Sequence, residues 1–446
     1  MPYIAATDAD RAAMLERIGA ASIEELFSDI PEVSRFPELG LPSPLSEMEA
    51  MREIEALAAK NLAASSSAWF LGAGAYYHFI PAVVPALASR GEFLTAYTPY
   101  QSEVSQGTLQ AIFEYQSMAA FLLGVEVVNA SHYDGATALA EGLLMAYNAG
   151  GGRSRAILCA DLHPEYKDVI RSYVAAFPIR LDEADLPPEG AAALADESTF
   201  CVVAPYPGFS GKIGDIASAA KSAHAAGALL VVAADPIMCG LLMSPGELGA
   251  DIVAAEGQAL GNPMSFGGPF LGMLGARGSL VRKMPGRLVG QAADAAGRRG
   301  FVLTLTAREQ HIRREKAVSN ICSNQGLAML QACIYLAAMG KSGLRKVAEL
   351  CWNKSHYAAS RIASIPGFAV DGAAAGGAAF FKEFIVKTPV PAEAISRKLT
   401  RRGVVPGLPL SRYYPERTHE LLTCVTEMCT KGQIELLARS LEEAAE

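Results

Sequence analysis

The aspartate at position 235 follows an apolar run, Leu229–Ala233, that reads as a buried strand. A carboxylate at the carboxyl end of a parallel strand can pair with a protonated pyridine nitrogen and sustain pyridoxal 5′-phosphate (PLP) as an electron sink. It can equally satisfy loop amides, and both readings of Asp235 stay open. The run Tyr133-Asp134-Gly135-Ala136-Thr137 opens a helical pattern. Free N–H groups and the positive dipole end at such a start suit a phosphate. The plainer reading of Asp134 and Gly135 is a helix cap with a tight turn. His163 follows another strand, where an imidazole can stack on a flat ring or serve only the local structure.

Two further segments are dense in polar side chains. One runs from Tyr97 to Gly107 (YTPYQSEVSQG); the other runs from Arg308 to Cys322 (REQHIRREKAVSNIC). A solvated helical face accounts for the charges at 308–316, but less well for Ser319-Asn320 and the Ser323, Asn324 and Gln325 that follow. Other patterns fail on inspection. Gly340-Lys341-Ser342 resembles the end of a P-loop, but Tyr335 stands where its first glycine belongs. Gly72-Ala73-Gly74 lacks the rest of a dinucleotide fingerprint. The seven histidines form no H-E-x-x-H or comparable ligand pair, so no metal is expected.

These residues need a scaffold. Ala156–Ala160, Phe200–Ala204, Leu229–Ala233 and Ile252–Ala255 read as buried parallel strands. Amphipathic segments alternate with them; after Asp134, Ala136, Leu139, Ala140, Leu143, Leu144 and Tyr147 keep helical spacing. The fold class is therefore α/β with a mostly parallel sheet, over residues 66–340. Residues 1–65 read as an N-terminal helical arm with Asp8 or Asp29 as caps, either wrapping a neighbour or closing locally. Residues 341–446 read as a small α+β domain. Its strands are Phe380–Lys387 and Leu421–Val425, its helices Pro391–Arg402 and Gly432–Ala445, and Gly372–Ala379 is a Gly/Ala loop.

Composition narrows the function classes. With 446 residues, 51% hydrophobic and 19% charged, the chain is long enough for two cores and is not disordered. A net charge of -8 argues against nucleic acid as a partner. None of the eight cysteines is in C-x-x-C spacing, which fits a reduced compartment. No secretory leader is evident at the start, and the most apolar stretch, Ala225–Ala234, is too short for a bilayer. A cytoplasmic protein without membrane contact is expected.

The two polar segments, with SHYDGATALAEG, LHPEYKDV, GEFLTAYTPY, ADIVAAEGQ (250–258) and PMSFGGPFLG (263–272), closely resemble motifs of the glycine cleavage P-protein family. From Arg287 to Arg314 the likeness is almost continuous, and overall it covers nearly the whole chain. The resemblance implies a fold-type I PLP-dependent architecture. Length and motifs are similar to the alpha chain, or subunit 1, of the two-chain form. The implied reaction is decarboxylation of glycine with PLP and transfer of the aminomethyl group to the lipoyl arm of H-protein. The implied assembly is α2β2 with a glycine decarboxylase beta subunit.

One departure from the family matters. In the beta chain a His-Lys pair precedes a proline and a Gly-rich loop. Aligned on Pro263 and Gly267-Gly268-Pro269, Gln258 falls at that lysine. A glutamine cannot form a Schiff base, which needs a primary amine. The resemblance therefore implies that the partner binds PLP covalently and that Asp134, Gly135, His163, Asp235 and Gln258 outline a degenerate pocket. It further implies that Tyr97, Tyr100, Gln101, Arg308, Arg313, Ser319 and Asn320 reach substrate or phosphate across an interface. Two rivals are a self-sufficient enzyme anchored on another lysine such as Lys212, and a scaffold for the beta subunit without a part in catalysis.

Overall fold

Side chains alternate along the central strands, and both faces of the sheet they form are buried. In the computed structural model, Val202, Leu230, Val232 and Val253 enter one hydrophobic core. Their neighbours Val203, Val231, Ile252 and Ala254 enter a second core on the opposite face. Such period-two burial on both sides is what a helix-covered parallel sheet requires. The structure describes residues 5–35, 37–317, 319–321, 325–372 and 379–445. Most of the expected Gly372–Ala379 loop, and Val318, Cys322, Ser323 and Asn324 of the second polar segment, lie outside them.

The main sheet has seven strands: β1 (Val127–Val128), β2 (Arg155–Cys159), β3 (Arg180–Ala184), β4 (Thr199–Tyr206), β5 (Leu229–Ala234), β6 (Ile252–Glu256) and β7 (Gly272–Ala276). Their spatial order is β1-β7-β6-β5-β4-β2-β3. From β6 to β3 all neighbours are parallel, whereas β7 runs antiparallel to both β6 and β1. Sequence patterning marks β2, β4, β5 and β6 but passes over β3. That edge strand reads RLDEA and buries only Ala184.

The chain divides into two units, Met1–Leu62 and Ala63–Glu446. In the first, helix α1 (Asp8–Ile18) is closed by a capping box of Thr7 and Asp10, and α2 (Glu47–Ala58) by one of Ser46 and Glu49. The caps are thus Thr7 and Ser46, not Asp8 or Asp29: Asp8 is already inside its helix, where an acid still favours the dipole. Neither helix buries a residue, and Met48, Met51, Ile54 and Leu57 stay exposed.

In the second unit, helix α3 (Gln106–Leu123) covers one sheet face with Leu109, Ile112 and Leu123, and α4 (Gly135–Ala149) covers the other with Leu139 and Leu143. The long helix α5 (Gly326–Ala363) breaks at Gly340, whose φ of 59° and ψ of -174° are not helical. By length and composition α5 could cross a bilayer. Here it packs instead on α3, through residues such as Met329 and Cys333. Beyond it, β8 (Ala369–Val370), β9 (Glu383–Lys387), β10 (Leu408–Pro409) and β11 (Glu420–Cys424) form an antiparallel sheet in the order β8-β9-β11-β10. Its own core includes Phe384, Val386, Ile395 and Leu437.

Candidate active site

The carboxyl ends of β2, β4, β5 and β6 open onto one small cavity of about 80 Å³, lined by His163, Tyr166, Phe209, Asp235, Glu256, Tyr76 and Glu383 among others. This is where an open α/β sheet binds ligands. Asp235 leaves the end of β5. Its Oδ1 accepts from the N–H groups of Ile237 at 2.9 Å and Met238 at 3.2 Å. Oδ1 thus fits the loop-amide reading of Asp235, while the other oxygen is turned to the pocket side.

What Oδ2 meets is a lysine. The ammonium of Lys382, from the residue before β9, lies 2.7 Å from it in a fully buried ion pair. Burial alone would lower the lysine's pKa, but the Asp235 carboxylate together with Cys424 and Cys351 holds it above the ordinary value. The same Nζ sits 3.2 Å from His78 Nε2 and 3.5 Å above the centre of the Tyr76 ring. His78 Nδ1 in turn bonds Glu427 Oε2 at 2.7 Å. His78, Cys351 and Glu427 place metal-ligand atoms within 4.8 Å of one another, a cluster no sequence spacing reveals. Both imidazole nitrogens are already engaged, however, one of them by a cation.

At the start of α4, Asp134 is the N-cap, its Oδ1 accepting from Thr137 N at 2.8 Å in a capping box. The adjacent free N–H of Gly135 points at Glu256 Oε2, 2.8 Å away. Glu256 Oε1 also accepts from Gln258 N at 2.9 Å and Leu271 N at 3.1 Å. Burial pushes this carboxyl up to about 8 in spite of the three N–H donors. The cap reading of Asp134 therefore holds, and a carboxyl group occupies the helix terminus that a phosphate could have taken. Space is also short: a Cβ on Gly135 would come within 2.6 Å of the Tyr166 hydroxyl.

Gln258 is buried. It clamps Tyr76 by both main-chain polar atoms, accepting from its N–H at 2.9 Å and donating to its carbonyl at 3.1 Å. The Tyr76 hydroxyl donates to Glu383 Oε2 at 2.7 Å, and Glu383 Oε1 accepts from Ala73 N, also at 2.7 Å. Gly72-Ala73-Gly74, which fails as a nucleotide motif, has this packing role. A Cβ on Gly72 would lie 2.5 Å from Glu383 Oε1 and 2.7 Å from Cys424 Cβ. His163 Nε2 meets the Ala73 carbonyl at 3.0 Å, and its ring stacks on Tyr166 at 5.0 Å. Lys212 is exposed, pairs with Phe380 through the backbone and does not line the cavity.

The two polar segments meet one another away from this cavity. The rings of Tyr100 and His311 are edge-on at 6.2 Å, and Gln106 bonds both the N–H and the carbonyl of Phe301. Tyr97 is 95% exposed and Tyr100 62% exposed. Gln101, Arg313 and Asn320 are exposed too. Ser319 and Arg308 turn inward, although Arg308 Nη1 finds no hydrogen-bond partner among the described residues. Ser319 donates to Glu141 Oε1 at 2.5 Å, and Arg308 is buried and bonds the carbonyls of Leu305 and Gly286.

Sequence reading missed Lys382, Glu383, Tyr76 and Glu256. The signal for the first two was present. A Lys-Glu pair inside the apolar run FFKEFIVK is anomalous for a buried strand, since such charges are buried only when paired.

A parallel sheet with its pocket at the carboxyl edge, followed by a small antiparallel domain, defines the fold-type I class. The sphingosine-1-phosphate lyase of Burkholderia pseudomallei shares this fold at 16% identity, with a TM-score of 0.63 over 93% of this chain and 94% of that one. Within that class, the chain belongs to the glycine cleavage system P-protein family, whose model matches residues 1–441. A Thermomicrobium roseum protein named probable glycine dehydrogenase (decarboxylating) subunit 1 is 51% identical over 441 residues, 98% of each chain. A crystal structure of glycine decarboxylase (P-protein) of the glycine cleavage system, in inhibitor-bound form, is 44% identical and covers 100% of both chains, with a TM-score of 0.90. The designation subunit 1 implies a partner subunit.

PLP does not fit the pocket of this chain. The carboxylate that would take its ring nitrogen holds Lys382, the helix terminus that would take its phosphate holds Glu256, and Gln258 offers no primary amine. The cavity of about 80 Å³ is also far below the roughly 300 Å³ at which ligand pockets begin.

Proposed function

We propose that this chain is the alpha half of a two-chain, PLP-dependent glycine decarboxylase, with the cofactor held covalently by the beta subunit of an α2β2 assembly in the cytoplasm. Glycine is the substrate, and the lipoyl arm of H-protein takes the aminomethyl group. The observation that carries this reading is a contrast within the chain. Its own Lys382 and Glu256 occupy Asp235 and the α4 terminus, while the two family segments present Tyr97, Tyr100, Gln101, Arg313 and Asn320 outward. Hydroxyl, amide and guanidinium donors suit a phosphate or a substrate carboxylate across an interface. Exposed Val104 and Phe266, 79% and 95% accessible, add the apolar surface that an obligate interface buries. In this reading Ser319 and Arg308 hold the second segment in shape and do not themselves reach the partner's site.

The test is to co-express the chain with a beta subunit and to measure glycine–bicarbonate exchange for each chain alone and for the complex. Exchange is expected only in the complex. Full exchange by the beta chain alone would reduce the alpha chain to a scaffold, and exchange by the alpha chain alone would make it self-sufficient.

A further inference from the structure

The ion pair between Lys382 and Asp235 joins two parts of the fold. Asp235 stands at the end of β5 in the large sheet, and Lys382 immediately precedes β9 in the small one. The next residue, Glu383, holds the segment of Ala73 and Tyr76, which Gln258 clamps from the other side. Glu427, just after β11, extends the same network through His78 to Lys382. Every member is buried or nearly so.

We infer that the vestigial cofactor pocket is a self-liganded lock, in which Lys382 takes the place of a pyridinium on Asp235 and the Glu256 carboxyl that of a phosphate on the α4 terminus. A cation and an acid supplied by the chain reproduce the two polar contacts of a bound vitamin B6 phosphate. The lock has two consequences. It closes the pocket to every pyridoxal phosphate species, including those that need no lysine, and it clamps the small sheet onto the large one. The missing Schiff-base lysine alone would imply neither, because an empty pocket with an intact Asp235 and a free helix terminus would still bind the cofactor non-covalently. Both stand on contacts within this chain, independently of how the partner's site works.

The probe is 4′-deoxypyridoxine 5′-phosphate, which cannot form a Schiff base but keeps the ring nitrogen and the phosphate. Equilibrium dialysis of the isolated chain, and of its complex with the beta subunit, counts the sites. No saturable binding to the alpha chain is expected, and no site in the complex beyond those of the beta chain. One saturable site per alpha chain would overturn the inference. Hydrogen exchange of the same preparations tests the clamp. In Lys382→Met, the amides of 72–79 and 380–387 are expected to exchange at least about tenfold faster, with those of β4 and β5 unchanged. Unaltered exchange at 72–79 and 380–387 would refute the clamp. Should Lys382→Met fail to fold, the Tyr76→Phe variant, which removes only the bond to Glu383, is expected to show the same local acceleration in weaker form, and no acceleration would count against the clamp.

Discussion

Gln258 holds Tyr76 by its N–H and its carbonyl at once, at 2.9 Å and 3.1 Å, from the position where the resemblance to the family's beta chains would place a lysine. The substitution thus does more than remove an amine. It ties down the segment whose aromatic ring covers Lys382. Restoring the lysine alone should therefore not restore a Schiff base. Gln258→Lys treated with PLP and borohydride is expected to yield no pyridoxyl peptide at position 258. Stoichiometric labelling there would mean that the pocket still accepts the cofactor.

The Asp235–Lys382 pair should behave as a coupled unit. Removing one member strands a buried charge and typically costs about 3–5 kcal/mol, whereas replacing both with apolar groups is often neutral. Asp235→Asn and Lys382→Met are each expected to lower the unfolding free energy by roughly that amount. The double variant Asp235→Asn/Lys382→Met, which keeps an acceptor for the Ile237 and Met238 amides, should recover most of it. Denaturant melts of the four proteins measure the coupling. Additive losses would show that the 2.7 Å contact is not an energetic pair.

Glu256 should impose a pH dependence on stability. Its folded pKa is raised by burial from 4.5 to about 8. Between those values the unfolded chain releases a proton that the folded chain keeps, so this group lowers stability as pH rises across the window. A shift of this size corresponds to on the order of a few kcal/mol. Glu256→Gln abolishes the titration. Whatever its offset at acid pH, its unfolding free energy should decline less than the wild type's from about pH 5 to about pH 8. Parallel curves for the two proteins would contradict the assignment.

Much of the scaffold is legible in sequence because the physics there is local. The apolar runs that become β2, β4, β5 and β6 are buried on both faces, so each reads as a continuous stretch. The α4 start is legible for the same reason, as Asp134 caps within its own turn. The pocket's occupants are not local. Lys382 and Asp235 are far apart in the chain, as are Tyr76 and Gln258, and such pairings depend on topology. Glu256 was in view two residues before Gln258, but only the sheet brings it onto the Gly135 amide. The polar segments were recognised by family likeness. Their division into inward members, Ser319 and Arg308, and outward ones, Tyr97 and Tyr100, follows from burial that no spacing encodes.

The central claim is that this chain works through its partner's site and not its own. The most direct measurement is glycine decarboxylation by beta subunit reconstituted with variant alpha chains, each checked for assembly by size exclusion. Loss of one charge-assisted hydrogen bond costs roughly 1.5–3 kcal/mol, about a ten- to hundredfold effect on rate. Tyr100→Phe and Asn320→Ala are expected to impair the assembled enzyme by about that factor. The charge-neutral pair Asp235→Asn/Lys382→Met is expected to leave its rate within about twofold of wild type. The opposite pattern, silence at Tyr100 and Asn320 with abolished activity on loss of the Asp235–Lys382 pair in an intact assembly, would place the working site in this chain's own pocket and contradict the account.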